Sequence, residues 1–190
     1  MKWTKEDKQF LLSFKDSVDC DDIKVKEGVK KLLLQNKYII HVLNNKELEE
    51  ADAEPDDYFD VNIMPYYIVA PAQHNIQNFI CYEVTYKDIS NYNSSVKSLQ
   101  LIFYILCDCH YIKDEDTGVT RHDLLAALIQ DQFNNTNYFG SKLKLISDVA
   151  GVTDSNYALR TLTFQQTTDN NVVKTRNGQT RLANKEIYTF

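Results

Sequence analysis

The chain has 190 residues, 43% of them apolar, which suits one domain with a real core and excludes global disorder. No apolar run approaches the ~20 residues of a bilayer span, and the first residues show no apolar signal segment, so a protein of the cytosol, or assembled from it, with no membrane contact is expected. The net charge of −6 is local: residues 47–60 hold eight acidic side chains and no basic one, and without them the balance is +2, which leaves no concentrated basic face for general nucleic-acid binding.

Residues 5–18 place Phe10, Leu11, Phe14 and Val18 at helical intervals, with Thr4 as N-cap and Asp7 as its reciprocal partner. Residues 24–35 predict a second helix, with Val25, Val29, Leu32 and Leu33 on one face and Gly28 weakening it. Asn36 caps a third segment, 37–43. Its Ile39, Ile40, Val42 and Leu43 suit a helix or a strand equally, and periodicity does not decide. The acidic stretch, broken by Pro55, predicts an extended loop, either simply solvated or a docking surface for a basic partner. Glu49, Glu50, Asp52, Asp56 and Asp57 are its candidate contact residues. Residues 61–69 are apolar and aromatic, but Pro65 demotes them to an edge strand or an extended lead-in.

Residues 79–88 alternate cleanly, with Ile80, Tyr82, Val84 and Tyr86 on one side and Glu83, Thr85 and Lys87 on the other. A polar hairpin loop leads into 97–109, the most apolar stretch. It is apolar on both faces for part of its length, which predicts a central strand or one covered by another subunit. Residues 120–134 form the clearest amphipathic helix, with Leu124, Leu125, Leu128, Ile129 and Phe133 as its stripe and Thr120 with Asp123 as a capping pair. Strands at 142–147 and 157–168 follow, joined by a turn around Gly151. The fold class expected is α+β: a mixed, mainly antiparallel sheet of about four strands against the amphipathic helix and N-terminal helices. Residues 1–60 lead in, 61–168 form the core, and 169–190 form an extended arm. Lys174, Arg176, Arg181 and Lys185 make that arm basic, and Asn177-Gly178 is a good hairpin turn; the arm is either a flexible tail or pairs with a neighbouring subunit.

Catalytic motifs are missing. The five glycines lie far apart, and no metalloprotease, hydrolase or dinucleotide signature occurs, so neither cofactor nor catalytic residue is expected. Cys107-Asp108-Cys109-His110 lacks structural-zinc spacing, and alternation places Cys107 and Cys109 in the core as reduced thiols. Arg121-His122-Asp123 opens a helix. Neighbouring helical residues diverge, so His122 and Asp123 are not expected to pair, and capping is the favoured role over anion binding.

Four ordered motifs carry a resemblance. They are Phe79-Ile-Cys-Tyr-Glu-Val84, Arg121-His-Asp-Leu-Leu125, Phe139-Gly-Ser-Lys-Leu-Lys-Leu145 and Asp154-Ser-Asn-Tyr-Ala-Leu-Arg-Thr-Leu-Thr-Phe164, preceded by Asp60-Val-Asn-Ile-Met-Pro65. Together they resemble tail-terminator or neck proteins of long-tailed bacteriophages. The resemblance implies a structural, non-enzymatic virion protein assembled in the host cytoplasm. It implies a homohexameric ring that contacts the tail tube protein and the head-closure or neck proteins, with DNA passing through its lumen unbound. A ring needs two unlike surfaces for head-to-tail closure, and the acidic segment and basic arm are the candidates. Two other readings compete: a monomeric adaptor that holds a basic protein on its acidic segment, and a small hydrolase built on His122, Asp123 and a cysteine.

Overall fold

A computed structural model describes residues 4–15, 21–67, 78–87, 96–153 and 156–169. Among these residues the strand Val96–Asp108 (β3) is the middle of a five-stranded sheet. Its neighbours are Asn78–Lys87 (β2) and Tyr157–Asp169 (β5), both antiparallel to it. Lys144–Val152 (β4) lies outside β5, and the two-residue Ile63–Met64 (β1) lies outside β2 as the one parallel partner. The central place expected of the doubly apolar strand is confirmed. Leu99, Leu101, Phe103, Ile105 and Cys107 are buried beneath helices, and Phe103 meets the rings of Tyr82, Phe133 and Phe164 at 6.3, 5.1 and 5.8 Å. On the other face Leu106 joins Met64, Phe79, Cys81 and Tyr157 in a second apolar cluster.

Among the described residues five α-helices accompany the sheet: Lys5–Lys15 (α1), Asp21–Gln35 (α2), Lys37–Leu43 (α3), Lys46–Glu50 (α4) and Arg121–Phe133 (α5). Thr4 and Asp7 cap α1 reciprocally, each side chain accepting the other's backbone N–H, at 2.9 and 3.1 Å. Of the apolar face read from its sequence, Phe10 and Leu11 are exposed, the Phe14 side chain and Val18 lie outside the described residues, and the described helix ends at Lys15. The ambiguous third segment is a helix because its ends are specified. The Asn36 carboxamide oxygen accepts the N–H groups of Tyr38 and Ile39, and Asn44 closes the helix in the left-handed region at φ 50°.

Two boundaries differ from the sequence reading. The acidic segment is not an extended loop. Asn45 caps α4 by accepting the Leu48 N–H, and Pro55–Tyr58 forms a 3-10 turn whose Glu54 and Asp57 make a capping box around Pro55. Carboxylates near the first turn of each favour these short helices. Gly151 is not a turn either: it pairs with Leu159 inside β4, and the chain reverses later, where Thr153 N–H reaches Tyr157 O at 2.9 Å. The α5 stripe is also rotated slightly, because Ala126 is buried while Leu124 and Leu128 are half-buried.

Candidate assembly surfaces

One end of the sheet carries α4 and the 3-10 turn as an acidic lobe. Glu49, Glu50, Asp52, Asp56 and Asp57 are all exposed on it. The lobe is fixed from beneath by buried amides. Asn45 Nδ2 donates to Asn62 Oδ1 at 2.7 Å, Asn62 Nδ2 donates to Asn78 O at 2.9 Å, and Asn78 Nδ2 donates to Leu43 O at 2.9 Å. The Ile80 N–H closes the set on Asn62 O at 2.8 Å. These bonds bridge α3, α4, the loop before β1 and the first residues of β2. Beside the lobe a groove of about 720 Å³ runs between α2, α3 and the 3-10 turn, with Lys30, Lys31 and Lys37 facing Glu54 and Asp56. Lys30 Nζ also sits 3.9 Å from the centre of the Phe59 ring. Lys174, Arg176, Arg181 and Lys185, the candidates for the complementary basic surface, lie outside the described residues.

The opposite end is β4. Among the described residues only β5 pairs with it. Ile146, Val149 and Val152 are 51%, 57% and 74% exposed. A second groove, about 390 Å³, lies at its start, lined by Lys142, Lys144 and Ile146 with residues of β5. This end is tied down by charge. Arg160 donates Nε and Nη2 to the two carboxylate oxygens of Asp148, at 2.7 and 2.8 Å, and Nη1 to Asp123. Gln130 Nε2 adds a bond to Asp148 at 2.9 Å, so β4, β5 and α5 meet at one guanidinium. The Thr120 hydrogen bond, followed by the His122 and Arg160 charges, holds Asp123 below the usual carboxylate range. Arg160 does the same to Asp148, first through its hydrogen bonds.

The expected capping pair is therefore rearranged. Thr120 donates its hydroxyl to the Asp123 carboxylate, whose other oxygen goes to Arg160 rather than back to the helix N-terminus. His122 and Asp123 stand closer than adjacent helix positions suggested, at 3.6 Å between Nε2 and Oδ1, an ion-pair separation beyond hydrogen-bond length. Arg121 is not a surface contact but a buried one: Nη1 meets Asp114 Oδ1 at 3.0 Å and Val42 O at 3.3 Å. Cys107 is in the core as expected, and burial pushes its thiol up, away from the reactive thiolate. Cys109 corrects the reading. The strand ends at Asp108, so Cys109 is exposed rather than a core residue. Neither groove described above is lined by His122, Asp123 or a cysteine. Among the described residues no three His, Cys, Asp or Glu side chains gather as a metal site would require.

The acidic lobe is visible in the sequence as charge density, whereas the residues that fix the two ends carry no local signal. Asn62 lies inside a quoted motif without an assigned role, and Arg160 and Asp148 sit twelve residues apart on a turn-linked strand pair, a spacing that becomes meaningful once the register is known.

Fold and surfaces together define an α+β protein with one sheet, a helical cover and two differently built ends. The chain belongs to the YomW family, whose model matches residues 36–166. That span runs from the cap of α3 through the lobe and sheet to Gln166 in β5. The curated proteins contain no match to the chain.

Proposed function

We propose that this protein is a bacteriophage tail terminator, a structural virion component that closes into a homohexameric ring, caps the tail tube and joins it to the head through neck proteins. The observation that carries the reading is the contrast between the sheet's two ends: a pinned acidic lobe at one and, at the other, a strand whose outer side pairs with none of the described residues. Unlike ends on one body suit head-to-tail closure. The resemblance motifs fall on framework positions, namely the start of β2, the first turn of α5, the link from α5 to β4, and β5. In this reading the basic arm adds a contact to a neighbouring subunit or ring, and DNA slides through a lumen that is acidic or neutral.

A tube that is not capped continues to grow. Particles lacking this chain should therefore show overlong tails and heads without tails, and complementation should restore normal length. Normal, joined particles in its absence would overturn the proposal. The adaptor reading keeps one specific support, the same acidic lobe. It predicts a monomer that binds a basic partner at one-to-one stoichiometry and leaves tail length unchanged.

A further inference from the structure

We infer that the outward edge of β4, with Lys142 and Lys144 at its base, receives the acidic lobe of the next copy of this chain. The inference rests on the ring reading above and assigns the contact that closes it. Sheet order places β1 and β4 at opposite edges, four strand spacings apart, about 19 Å. The lobe sits at the β1 edge through the asparagine bonds, and the two lysines sit at the β4 edge. The lobe's carboxylates and these two lysines thus lie at opposite edges of one body, an arrangement that favours copies meeting head to tail at these two patches.

The β4 edge carries Lys144 and a register shift between Leu145 and Ser147, both of which disfavour plain strand addition. Solitary sheets blunt such edges with proline, outward charge or very short strands. Here β4 runs nine residues and contains no proline. Its acidic residue, Asp148, is engaged by Arg160 and Gln130. Exposed Ile146 lines the same groove as the lysines, whereas Val149 and Val152, three residues apart, turn to opposite faces of the strand. The β1 edge is two residues long and followed at once by Pro65. Sheet extension is therefore blocked on the lobe side. The lobe meets the β4 edge through side chains, carboxylates against lysines. Such a head-to-tail contact makes a ring when the rotation from copy to copy closes.

Charge reversal with exchange tests the assignment. K142E/K144E puts acid on both ends, and E49K/E50K/D52K puts base on both ends. Each variant alone should associate at least about a hundredfold more weakly than the wild type in sedimentation at low ionic strength, with an unchanged circular dichroism spectrum. Mixed in equal amounts they should recover particles of wild-type size, because every contact in an alternating ring is then acid against base. K142R/K144R should assemble like the wild type. Wild-type assembly by K142E/K144E, or no recovery on mixing, overturns the edge assignment while leaving the ring intact. Assembly lost in the lobe variant and kept in the edge variant would move the basic surface elsewhere, the arm with Lys174 and Arg176 included. A wild-type chain that stays monomeric to millimolar concentration overturns the ring reading and this contact with it.

Discussion

The two ends of the sheet are held by different physics. At the lobe end, neutral amides bridge buried backbone and side chains: Asn45, Asn62 and Asn78 are all nearly inaccessible to solvent. At the β4 end, one half-exposed guanidinium gathers two carboxylates. Neutral buried bonds are insensitive to salt and to pH, and their loss leaves polar groups stranded. Ionic bonds near the surface weaken with salt and with acid. The lobe is therefore held by bonds that salt and acid leave alone, whereas the ionic joint that ties β4 and β5 to α5 responds to both.

Breaking the lobe's bonds should have the largest effect. Asn62→Ala leaves the Asn45 amide and the Asn78 carbonyl without their bonds, and should cost about 3 kcal/mol in urea-unfolding experiments, with no dependence on ionic strength. Breaking the edge should cost less. Arg160→Met leaves Asp123 and Asp148 facing each other across the joint, and should cost about 2 kcal/mol at low salt and visibly less at 1 M salt. If both variants showed the same salt dependence, the contrast between the ends would disappear.

Acid should sharpen the contrast further. Asp123 and Asp148 have lowered pKa values in the folded chain, so their contribution is fully present above the ordinary carboxylate pKa of about 4 and is lost as pH falls through their folded values. Wild-type stability should drop by about 1 kcal/mol more than that of Arg160→Met between pH 5 and 2. Hydrogen exchange over the same range should rise first in β4 amides and not in the residues around Asn62. The smallest change in stability is expected from Glu49→Gln with Glu50→Gln, within about 0.5 kcal/mol, because both side chains are exposed. Their effect should appear in assembly instead.

Much of this architecture was legible in the sequence because its signals were local. Alternation in 79–88 and the doubly apolar 97–109 gave the central strand pair, and the leucine spacing of 120–134 gave α5. The extra strand β1 was readable as an edge element because Pro65 terminates it. What escaped depended on partners distant in the chain. The acidic stretch looked like a loop because charge obscured two short capped turns at Asn45 and Pro55. Gly151 looked like a turn because a glycine in a weakly apolar run carries no sign of the β5 register that keeps it extended. Cys109 was assigned to the core by parity, which fails one residue beyond a strand end. Of the candidate contact residues, the acidic set was legible by charge density alone, while Arg160 became visible through the pairing of β4 with β5.

The most direct measurement is a cryo-electron reconstruction of tail tubes assembled with and without the purified chain. The account predicts six-fold density at one end of each tube, into which the sheet fits with every acidic lobe against a neighbouring β4. Bare tube ends, with the chain recovered as a monomer holding a small molecule between His122 and Asp123, would contradict it.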